Sequence, residues 1–200
     1  MGAAETVRDL LAEHGRTYAD EAGITLRDKP APLYQLLVLT LLSSARISAD
    51  IAVASAAELF HAGWRTPERM RAATWQQRVD ALGRGGYRRY DESTSTQLEK
   101  NADFLLTRHH GDLRRIRPGR DGSVDDLVAA LTDFPRIGPT GAGIFCREVQ
   151  VVWPEVGPYF DDRALGSARE LGLPADPERL ASLAPRGRVA DLAAALVRAG

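Results

Sequence analysis

The sequence predicts an all-α fold, and two observations lead to this prediction. Apolar residues recur at helical spacing along the 200-residue chain, whereas the alternation typical of a half-buried strand is nearly absent. Segments rich in glycine and proline, such as 28–32, 83–87 and 172–178, divide the chain into short pieces. About ten short helices joined by short turns are therefore expected.

The helices are placed from the N-terminus by their apolar positions. A first helix is expected around 7–14 and a second over 33–42, where nearly every residue is apolar. The same spacing predicts helices around 51–59 and 98–106. The run 33–42 is too short to cross a bilayer, so we interpret it as a buried helix.

Two further helix starts carry capping residues. Thr66 stands before Pro67, and Ser123 stands before Val124 and two acidic residues. A hydroxyl group accepts hydrogen bonds from the first amides of a helix, and proline fits the first turn because no amide hydrogen is needed there. Helices are therefore predicted to begin at these two places.

The charge of the chain is balanced, with 26 basic and 27 acidic residues and a net charge of −1. No global field attracts it to nucleic acid or to a membrane, so a polyanion would need a local basic patch. Lys29 and Lys100 are the only lysines. Nearly every positive charge is thus a guanidinium, which binds phosphate well but cannot act as an amine nucleophile.

Cysteine and histidine usage argues against a metal centre. The single cysteine, Cys146, excludes a disulfide framework or a cysteine-based cluster within the chain, and its place in an apolar pattern predicts a core residue. His109 and His110 have no carboxylate or cysteine at ligand spacing, so no metal site is predicted. The N-terminal residues lack the pattern of a signal peptide, and a cytoplasmic protein is expected.

The stretch 133–146, DFPRIGPTGAGIFC, lies between two apolar helical segments. Pro139 suits the first position of a helix, and Gly138 suits a turn residue with positive φ. The prediction is a helix, a tight hairpin and a second helix, whose free amides could bind a phosphate. Gly141 and Gly143 each weaken the second helix by roughly 0.8–1 kcal/mol relative to alanine, which indicates close approach of another helix or of a DNA strand. A plain corner between two helices is the alternative.

This stretch resembles the hairpin of the endonuclease III-like helix-hairpin-helix DNA glycosylase superfamily, which reads roughly Leu-Pro-Gly-Val-Gly before a helix. Three more stretches are similar to that family in the same order along the chain. Residues 33–60 resemble its Leu-Leu-Ser-Ala-Gln helix pair, and residues 83–113 its Gly-x-Tyr loop and the helix that follows. Residues 159–174 resemble its Val-Asp-Thr-His stretch and the Arg-Leu-Gly-Leu that follows.

The resemblance covers about residues 30–175 and implies a two-lobed helical fold with a cleft between the lobes. The central lobe is expected to span 31–149 and to end in the helix-hairpin-helix. The second lobe is expected to combine 1–30 with 150–200. The implied partner is double-stranded DNA. The protein is expected to be a monomer and not to associate with a membrane.

The resemblance also places the family's essential aspartate at Asp161, with Asp162 as the lesser candidate. Base excision breaks an N-glycosidic bond through an oxocarbenium-like sugar, after the base has swung out of the stack. A carboxylate beside the sugar stabilises that charge and can orient or deprotonate an attacking water. Asp161 is also placed to cap a helix that begins at position 162, and the two roles are compatible.

Thr140 stands where bifunctional members of the family carry a lysine that attacks the sugar. Threonine cannot form an imine, and neither lysine of the chain lies near this motif in sequence. The resemblance therefore implies a monofunctional glycosylase that uses water and leaves an abasic site. Thr140 is expected either to line the base pocket or to cap the helix.

Other departures from the family concern the hairpin and the C-terminus. Arg136 replaces the first hairpin glycine, where it could contact a phosphate or disturb the backbone. The last twenty residues, 181–200, lack the cysteines of the family's iron–sulfur loop, so no cluster is expected. The hairpin is a candidate site for a monovalent cation. The segment between Thr140 and Asp161 is a few residues longer than the family pattern.

Arginines and tyrosines elsewhere complete the predicted site. Arg46 lies where relatives place a glutamine that fills the gap left by the flipped base, and a surface arginine is the alternative. Arg84, Arg88 and Arg89 alternate with Tyr87 and Tyr90 in a basic and aromatic cluster, or else in a solvated turn. The predicted DNA-binding residues are Arg46, Arg88, Arg89, Arg136, Ile137, Gly138, Thr140 and Gly141. The predicted base pocket comprises Thr140, Arg46 and Tyr87, whereas Arg114, Arg115, Arg117 and Arg120 are interpreted as a solvated loop.

The favoured function at this point is base-excision DNA repair by a monofunctional glycosylase. The alternative is a DNA-binding or damage-sensing module of the same fold without catalysis. A helical protein-interaction domain would leave the hairpin and the Asp161 stretch unexplained together. The target base is not determined by these residues.

Overall fold

The computed structural model describes residues 2–119 and 122–200 of the chain. Within these ranges the regular structure consists of twelve α-helices and two short 3-10 helices. The α-helices are α1 (Ala3–His14), α2 (Tyr18–Glu21), α3 (Pro30–Ser43), α4 (Ala49–His61), α5 (Pro67–Ala72), α6 (Trp75–Arg84), α7 (Asp91–His109), α8 (Val124–Thr132), α9 (Pro139–Val149), α10 (Asp162–Glu170), α11 (Pro177–Ala181) and α12 (Val189–Ala199). The 3-10 helices are Leu113–Ile116 and Pro154–Val156.

The predicted all-α class is confirmed, with more helices than the sequence indicated. The additional ones include α2 and α11, which contain four and five residues and are too short to show a helical period. Both predicted helix starts are confirmed. The hydroxyl of Thr66 accepts from the amide of Arg69, and that of Ser123 accepts from the amide of Asp126.

Helix α3 lies at the centre of the molecule. Its residues 33–42 are all buried, which explains why nearly every residue of this run is apolar. Helices α4, α7 and α9 pack against it, and α8 packs against α9. The central helix therefore fixes the position of the hairpin that joins α8 to α9.

The two ends of the chain pack together on another side of α9. Helix α12 contacts α1, α10 and α9. Arg198 of α12 donates to the carbonyl of His14 and forms an ion pair with Glu21, at 2.7 Å between Nη2 and Oε2. These helices belong to the ranges predicted for the second lobe, 1–30 and 150–200. One continuous hydrophobic core extends through both predicted ranges, and the division into 31–149 and the remainder stays a prediction.

The chain follows the predicted course of a helix, a tight hairpin and a second helix, but the backbone conformation differs from the expected one at two positions. Gly138 has φ −96° and is the extended N-cap of α9, so the expected positive φ at Gly138 is wrong. The left-handed residue is Arg136, with φ 65°. Pro139 is the first residue of α9, as predicted. The side-chain amide of Asn101 in α7 donates to the carbonyl of Pro135 and ties the hairpin to the central helices.

None of the helices within 2–119 and 122–200 is both long enough and apolar enough to cross a lipid bilayer.

Candidate functional site

A cavity of about 620 Å³ opens beside the start of α9. Its wall combines residues from both predicted lobes. The lining residues are Tyr18, Ser43, Ile47, Ala49, Pro139, Thr140, Gly143, Ile144, Arg147, Tyr159, Phe160, Asp161, Asp162, Arg163 and Val197. We call this space the first cavity. It brings Asp161 and Thr140, the two positions singled out for chemistry, to a common wall.

Asp161 has two roles in the structure at once. It is the N-cap of α10, because its Oδ1 accepts a hydrogen bond of 2.9 Å from the amide of Ala164. Its Oδ2 is paired with the guanidinium of Arg147. The Asp161 side chain is 16% exposed and lines the first cavity. The predicted capping role is confirmed, and it leaves the carboxylate at the cavity wall.

Gly143 explains how Asp161 comes so close to α9. A Cβ atom at Gly143 would lie 3.4 Å from the Tyr159 hydroxyl oxygen and 3.6 Å from the Cβ of Asp161. The close approach predicted from the glycines of α9 is thus made by the segment 159–161. At Gly141 it is made by α3, since a Cβ there would lie 2.6 Å from the hydroxyl oxygen of Ser44.

The longer segment before Asp161 is fixed by a side-chain amide. Gln150 accepts from the amide of Tyr159 and donates to its carbonyl, both at 2.9 Å. Burial raises the pKa of Tyr159 to about 12, with smaller contributions from Cys146 and from the carboxylate of Asp161. Its phenol therefore stays protonated at neutral pH and can act as a hydrogen-bond donor in the first cavity.

A buried charged cluster stands behind Asp161. Arg147 is 3% exposed, and its Nε lies 3.8 Å from Oε1 of Glu148, which is 1% exposed. Both oxygens of Glu148 accept backbone amides at the start of α2, from Tyr18 at 3.4 Å and from Ala19 at 2.9 Å. Burial raises the pKa of Glu148, and Arg147 together with the two amides opposes this shift. Sequence reasoning missed this cluster, although two adjacent charges within the apolar run IFCREVQVVW were a usable signal.

Thr140 is exposed at the second position of α9. Gly138 is the N-cap of this helix and no side chain caps it, so the capping role considered for Thr140 is wrong. Both lysines, Lys29 and Lys100, are exposed and line neither this cavity nor the second one described below. No primary amine of a lysine therefore faces Asp161.

A second cavity of about 530 Å³ lies on the other side of the hairpin. It is lined by Leu41, Ser44, Ala45, Arg46, Tyr87, Tyr90, Thr94, Gln97, Arg136, Ile137 and Gly138. Two chain segments, 43–49 and 136–144, contribute residues to both cavities. The hairpin and the loop that contains Arg46 therefore form the boundary between them.

The three residues predicted for the base pocket are divided between these cavities. Thr140 lines the first, whereas Arg46 and Tyr87 line the second. Tyr87 is 1% exposed, and its hydroxyl lies 3.5 Å from the carbonyl oxygen of Leu42. The predicted grouping of these three residues in one pocket is therefore corrected, because the loop and the hairpin separate them.

The predicted DNA-binding residues fall into exposed and buried groups. Arg46, Arg88, Arg89 and Arg136 are exposed. Arg89 lies over the ring of Tyr90, 5.3 Å from its centroid. Arg84 is instead paired with Glu58 at 2.8 Å.

Ile137 is 3% exposed, and its amide donates to the carbonyl of Phe134. It is therefore a core residue of the hairpin, with no side chain or amide left for a DNA contact. The amides of Gly138, Thr140 and Gly141 donate to no other residue in the described ranges. Gly138 is half-buried and Gly141 is buried.

The arginines of the loop 114–120 and the residues considered as metal ligands were not assigned to the predicted site. Arg114 pairs with Asp112 at 2.7 Å, and Arg117 pairs with Asp28 at 2.7 Å, while Arg120 lies outside the described residues. Cys146 is buried, as predicted. In the parts of the chain that the structure describes, no three His, Cys, Asp or Glu side chains are placed to hold a metal ion.

A monovalent cation at the hairpin would be held by carbonyl oxygens, each of which has two lone pairs. The carbonyl of Phe134 accepts the amide of Ile137, and that of Pro135 accepts the side-chain amide of Asn101. A cation there would have to share these oxygens with their present donors. The cation stays a prediction, and no step of the chemistry below uses such an ion.

Comparison with known proteins supports the fold. No protein-family model matches the chain, and no curated protein matches it significantly. Five chains of known structure do match. One is a trapped endonuclease III–DNA covalent intermediate in an estranged-adenine complex, with a TM-score of 0.52 and 17% sequence identity, covering 100% of this chain and 87% of the other. The expected fold is therefore confirmed.

Proposed function

We propose that this protein acts in DNA repair as a monofunctional DNA glycosylase. It would hydrolyse the N-glycosidic bond of a damaged or mismatched base that has been flipped out of a DNA duplex. The observation that carries the proposal is the position of Asp161, a partly exposed carboxylate beside the bare first turn of α9. The fold shared with endonuclease III supports DNA as the partner.

The chemistry follows from a carboxylate at the cavity wall. Loss of the base leaves positive charge on the sugar, and Asp161 would stabilise that charge and orient an attacking water. The flipped base would occupy the first cavity, where Tyr159 and Thr140 offer hydroxyl groups. The product would be an abasic site.

Duplex DNA would be held at the boundary of the two cavities. The amides of Gly138, Thr140 and Gly141 could bind one phosphate, assisted by the positive end of the α9 dipole. Arg46 and Arg136 border the second cavity and are exposed. A guanidinium at Arg46 could donate to the base left without its partner, while Arg136 contacts the phosphates.

Strand cleavage through a covalent intermediate is not part of the proposal. The endonuclease III structure contains a trapped covalent intermediate with DNA. Here Thr140 has no amine, and both lysines lie away from the cavities. Borohydride should consequently trap no protein on DNA that contains an abasic site.

A second candidate function is a damage-binding module of the same fold without catalysis. The pairing of Asp161 with Arg147 favours it, because an adjacent guanidinium offsets the charge of the carboxylate. Such a module would bind distorted duplex through the same hairpin and arginines. The two functions differ in whether base release depends on the carboxylate at position 161.

The test uses duplexes that each contain one lesion, among them uracil, mismatched thymine, oxidised and alkylated bases. Base release is measured as alkali-labile sites. Asp161→Asn is expected to lower the rate for the released base by about a hundredfold or more, because it removes transition-state charge stabilisation. Asparagine caps a helix about as well as aspartate, so the start of α10 should persist.

Asp162→Asn is the matched control, since Asp162 is the next residue, is exposed and lines the same cavity. It should keep base release close to the unmodified rate. Duplex affinity should be retained in both variants. Base release that survives Asp161→Asn, or that is lost only in Asp162→Asn, would contradict the assignment of Asp161.

A further inference from the structure

Three charged side chains follow one another from the core to the first cavity. Glu148 is buried, Arg147 is buried beside it, and Asp161 stands at the cavity wall. We call these three residues the buried charge triad. The proposed glycosylase mechanism gives no role to Arg147 or Glu148.

Arg147 is held from several sides. Its guanidinium pairs with Asp161, lies 3.8 Å from Glu148 and packs 5.3 Å from the centroid of the Tyr18 ring. Tyr18 is itself fixed, since its amide and that of Ala19 donate to Glu148. The guanidinium of Arg147 therefore has little conformational freedom. The Asp161 oxygen that it binds is restricted in the same way.

The charges of the triad do not cancel. A carboxylate paired with one guanidinium would project little negative potential into the cavity. Glu148 lies on the far side of Arg147. Burial raises the pKa of Glu148, whereas the Arg147 guanidinium and the two amides that its oxygens accept favour the ionised form, which this inference requires. Two carboxylates and one guanidinium leave one net negative charge, and Asp161 is the member at the cavity.

We propose that Arg147 is a positioning residue for Asp161, and that Glu148 balances the charge of Arg147 so that the cavity keeps a net negative wall. This inference rests on the proposed function, since a negative wall at the sugar serves an oxocarbenium-like transition state. It adds two residues that contact no substrate. It also gives α2 a role in the site, because amides at the start of this helix donate to Glu148.

The test measures the negative potential directly and does not require the target base to be known. One duplex carries a protonated pyrrolidine ring in place of a single deoxyribose, and a matched duplex carries a neutral tetrahydrofuran ring. The ratio of the two dissociation constants is the cation preference. Loss of fold lowers both affinities together, whereas loss of the negative wall lowers only the affinity for the cationic ring.

The unmodified protein is expected to prefer the cationic ring, and Asp161→Asn should bring the ratio close to one. Glu148→Gln should lower the preference roughly tenfold, the effect of one unit charge at about 10 Å in an effective dielectric constant of about 20. Affinity for the neutral ring should not change, because the phosphate contacts are the same.

Arg147→Gln separates positioning from charge. It makes the triad more negative by one unit, so a purely electrostatic role for Arg147 predicts a stronger cation preference. Positioning predicts a weaker preference, because the Asp161 carboxylate loses the group that orients it. A preference in Arg147→Gln that equals or exceeds that of the unmodified protein would overturn the positioning role.

The double variant Arg147→Gln, Glu148→Gln keeps the test decisive if a single variant fails to fold. It leaves no unpaired buried charge and restores a net charge of one negative unit. We expect its preference to stay below that of the unmodified protein. Equality between the two proteins would show that the inner pair contributes nothing to the wall.

Failure of this inference and failure of the proposed function give different results. If the unmodified protein has no cation preference and Asp161→Asn behaves identically, no carboxylate acts at the sugar and both proposals fall. If the preference depends on Asp161 but not on Arg147 or Glu148, the proposed function stands and only this inference falls.

Discussion

Arg136 adopts a backbone conformation that ordinarily belongs to glycine. Its φ of 65° is left-handed, which costs an L-residue with a side chain roughly 1–2 kcal/mol. The residue is exposed and borders the second cavity, so no core contact recovers this cost. An outlier of this kind points to a task for the side chain, and phosphate contact at the hairpin is the task proposed above.

Substitution of Arg136 separates the two effects. Arg136→Gly should raise the free energy of unfolding by about 1 kcal/mol, because glycine adopts positive φ without strain. The same change should weaken duplex binding. Urea unfolding and a binding titration measure the two quantities.

Arg136→Ala is the matched control, since alanine removes the charge and keeps the strain. It should weaken binding as much as glycine does without the gain in stability. An arginine that could be replaced by glycine with unchanged affinity would have no role in binding DNA.

At the scale of elements, the position of α9 depends on its contact with α3. Gly141 lets the two helices approach, and the Ser44 hydroxyl that faces it donates to the carbonyl of Thr40 at 2.6 Å. Because α9 carries Thr140 and Gly143, this contact sets the depth of the first cavity. The missing side chain of this glycine therefore serves packing within the protein. The proposed phosphate contact concerns its backbone amide instead.

Gly141→Ala is predicted to lower the free energy of unfolding by about 1 kcal/mol. Alanine improves helix propensity by about 0.8–1 kcal/mol, but overpacking a close contact typically costs about 1–3 kcal/mol. Adding Ser44→Ala removes the hydroxyl that the new methyl group meets and should recover the loss. A denaturation cycle of both single variants and the double variant measures this coupling, and strict additivity would argue against the contact.

Much of the helical architecture was predictable because its causes are local. The buried run 33–42 and the caps at Thr66 and Ser123 express burial and hydrogen bonding within a few residues. The conformation of the hairpin was not predictable in the same way. Glycine in a tight turn favoured a positive φ at Gly138, whereas the left-handed residue of the hairpin is Arg136.

At the scale of the molecule, the net charge of −1 requires DNA contacts to be concentrated locally. Four of the predicted contacts, Arg46, Arg88, Arg89 and Arg136, are exposed, and Arg46 and Arg136 border one cavity. Other arginines, such as Arg71, are engaged by carboxylates. Binding should therefore depend on a few identifiable guanidinium groups.

Salt dependence provides the corresponding prediction. Duplex affinity should fall as salt rises, and Arg136→Ala should reduce the slope of log K against log salt by about 0.9, the contribution of one phosphate contact. Arg71→Ala is the control, because Arg71 pairs with Asp103 at 3.2 Å and lines neither cavity. Equal slopes for all three proteins would remove Arg136 from the phosphate contacts.

The candidate site was predictable in part. The resemblance to a known family placed Asp161 and Thr140, and the structure brings both to one cavity. Arg147 and Glu148 were missed because their pairing joins α9 to α2 and α10, segments far apart in sequence. The sequence also did not predict that Thr140 lies in a different cavity from Arg46 and Tyr87. This separation depends on how the loop 43–49 packs against the hairpin.

Asp161 caps α10, and the proposed function adds a catalytic role, a combination that bears on how this protein could diverge. Asp, Asn, Ser and Thr all cap helices well, so selection for folding alone would tolerate any of them at position 161. Selection for base excision would retain only the carboxylate. A lineage that lost the reaction could thus drift among these residues while its architecture stayed intact, and the residue found at 161 in a descendant would record which of the two pressures had acted.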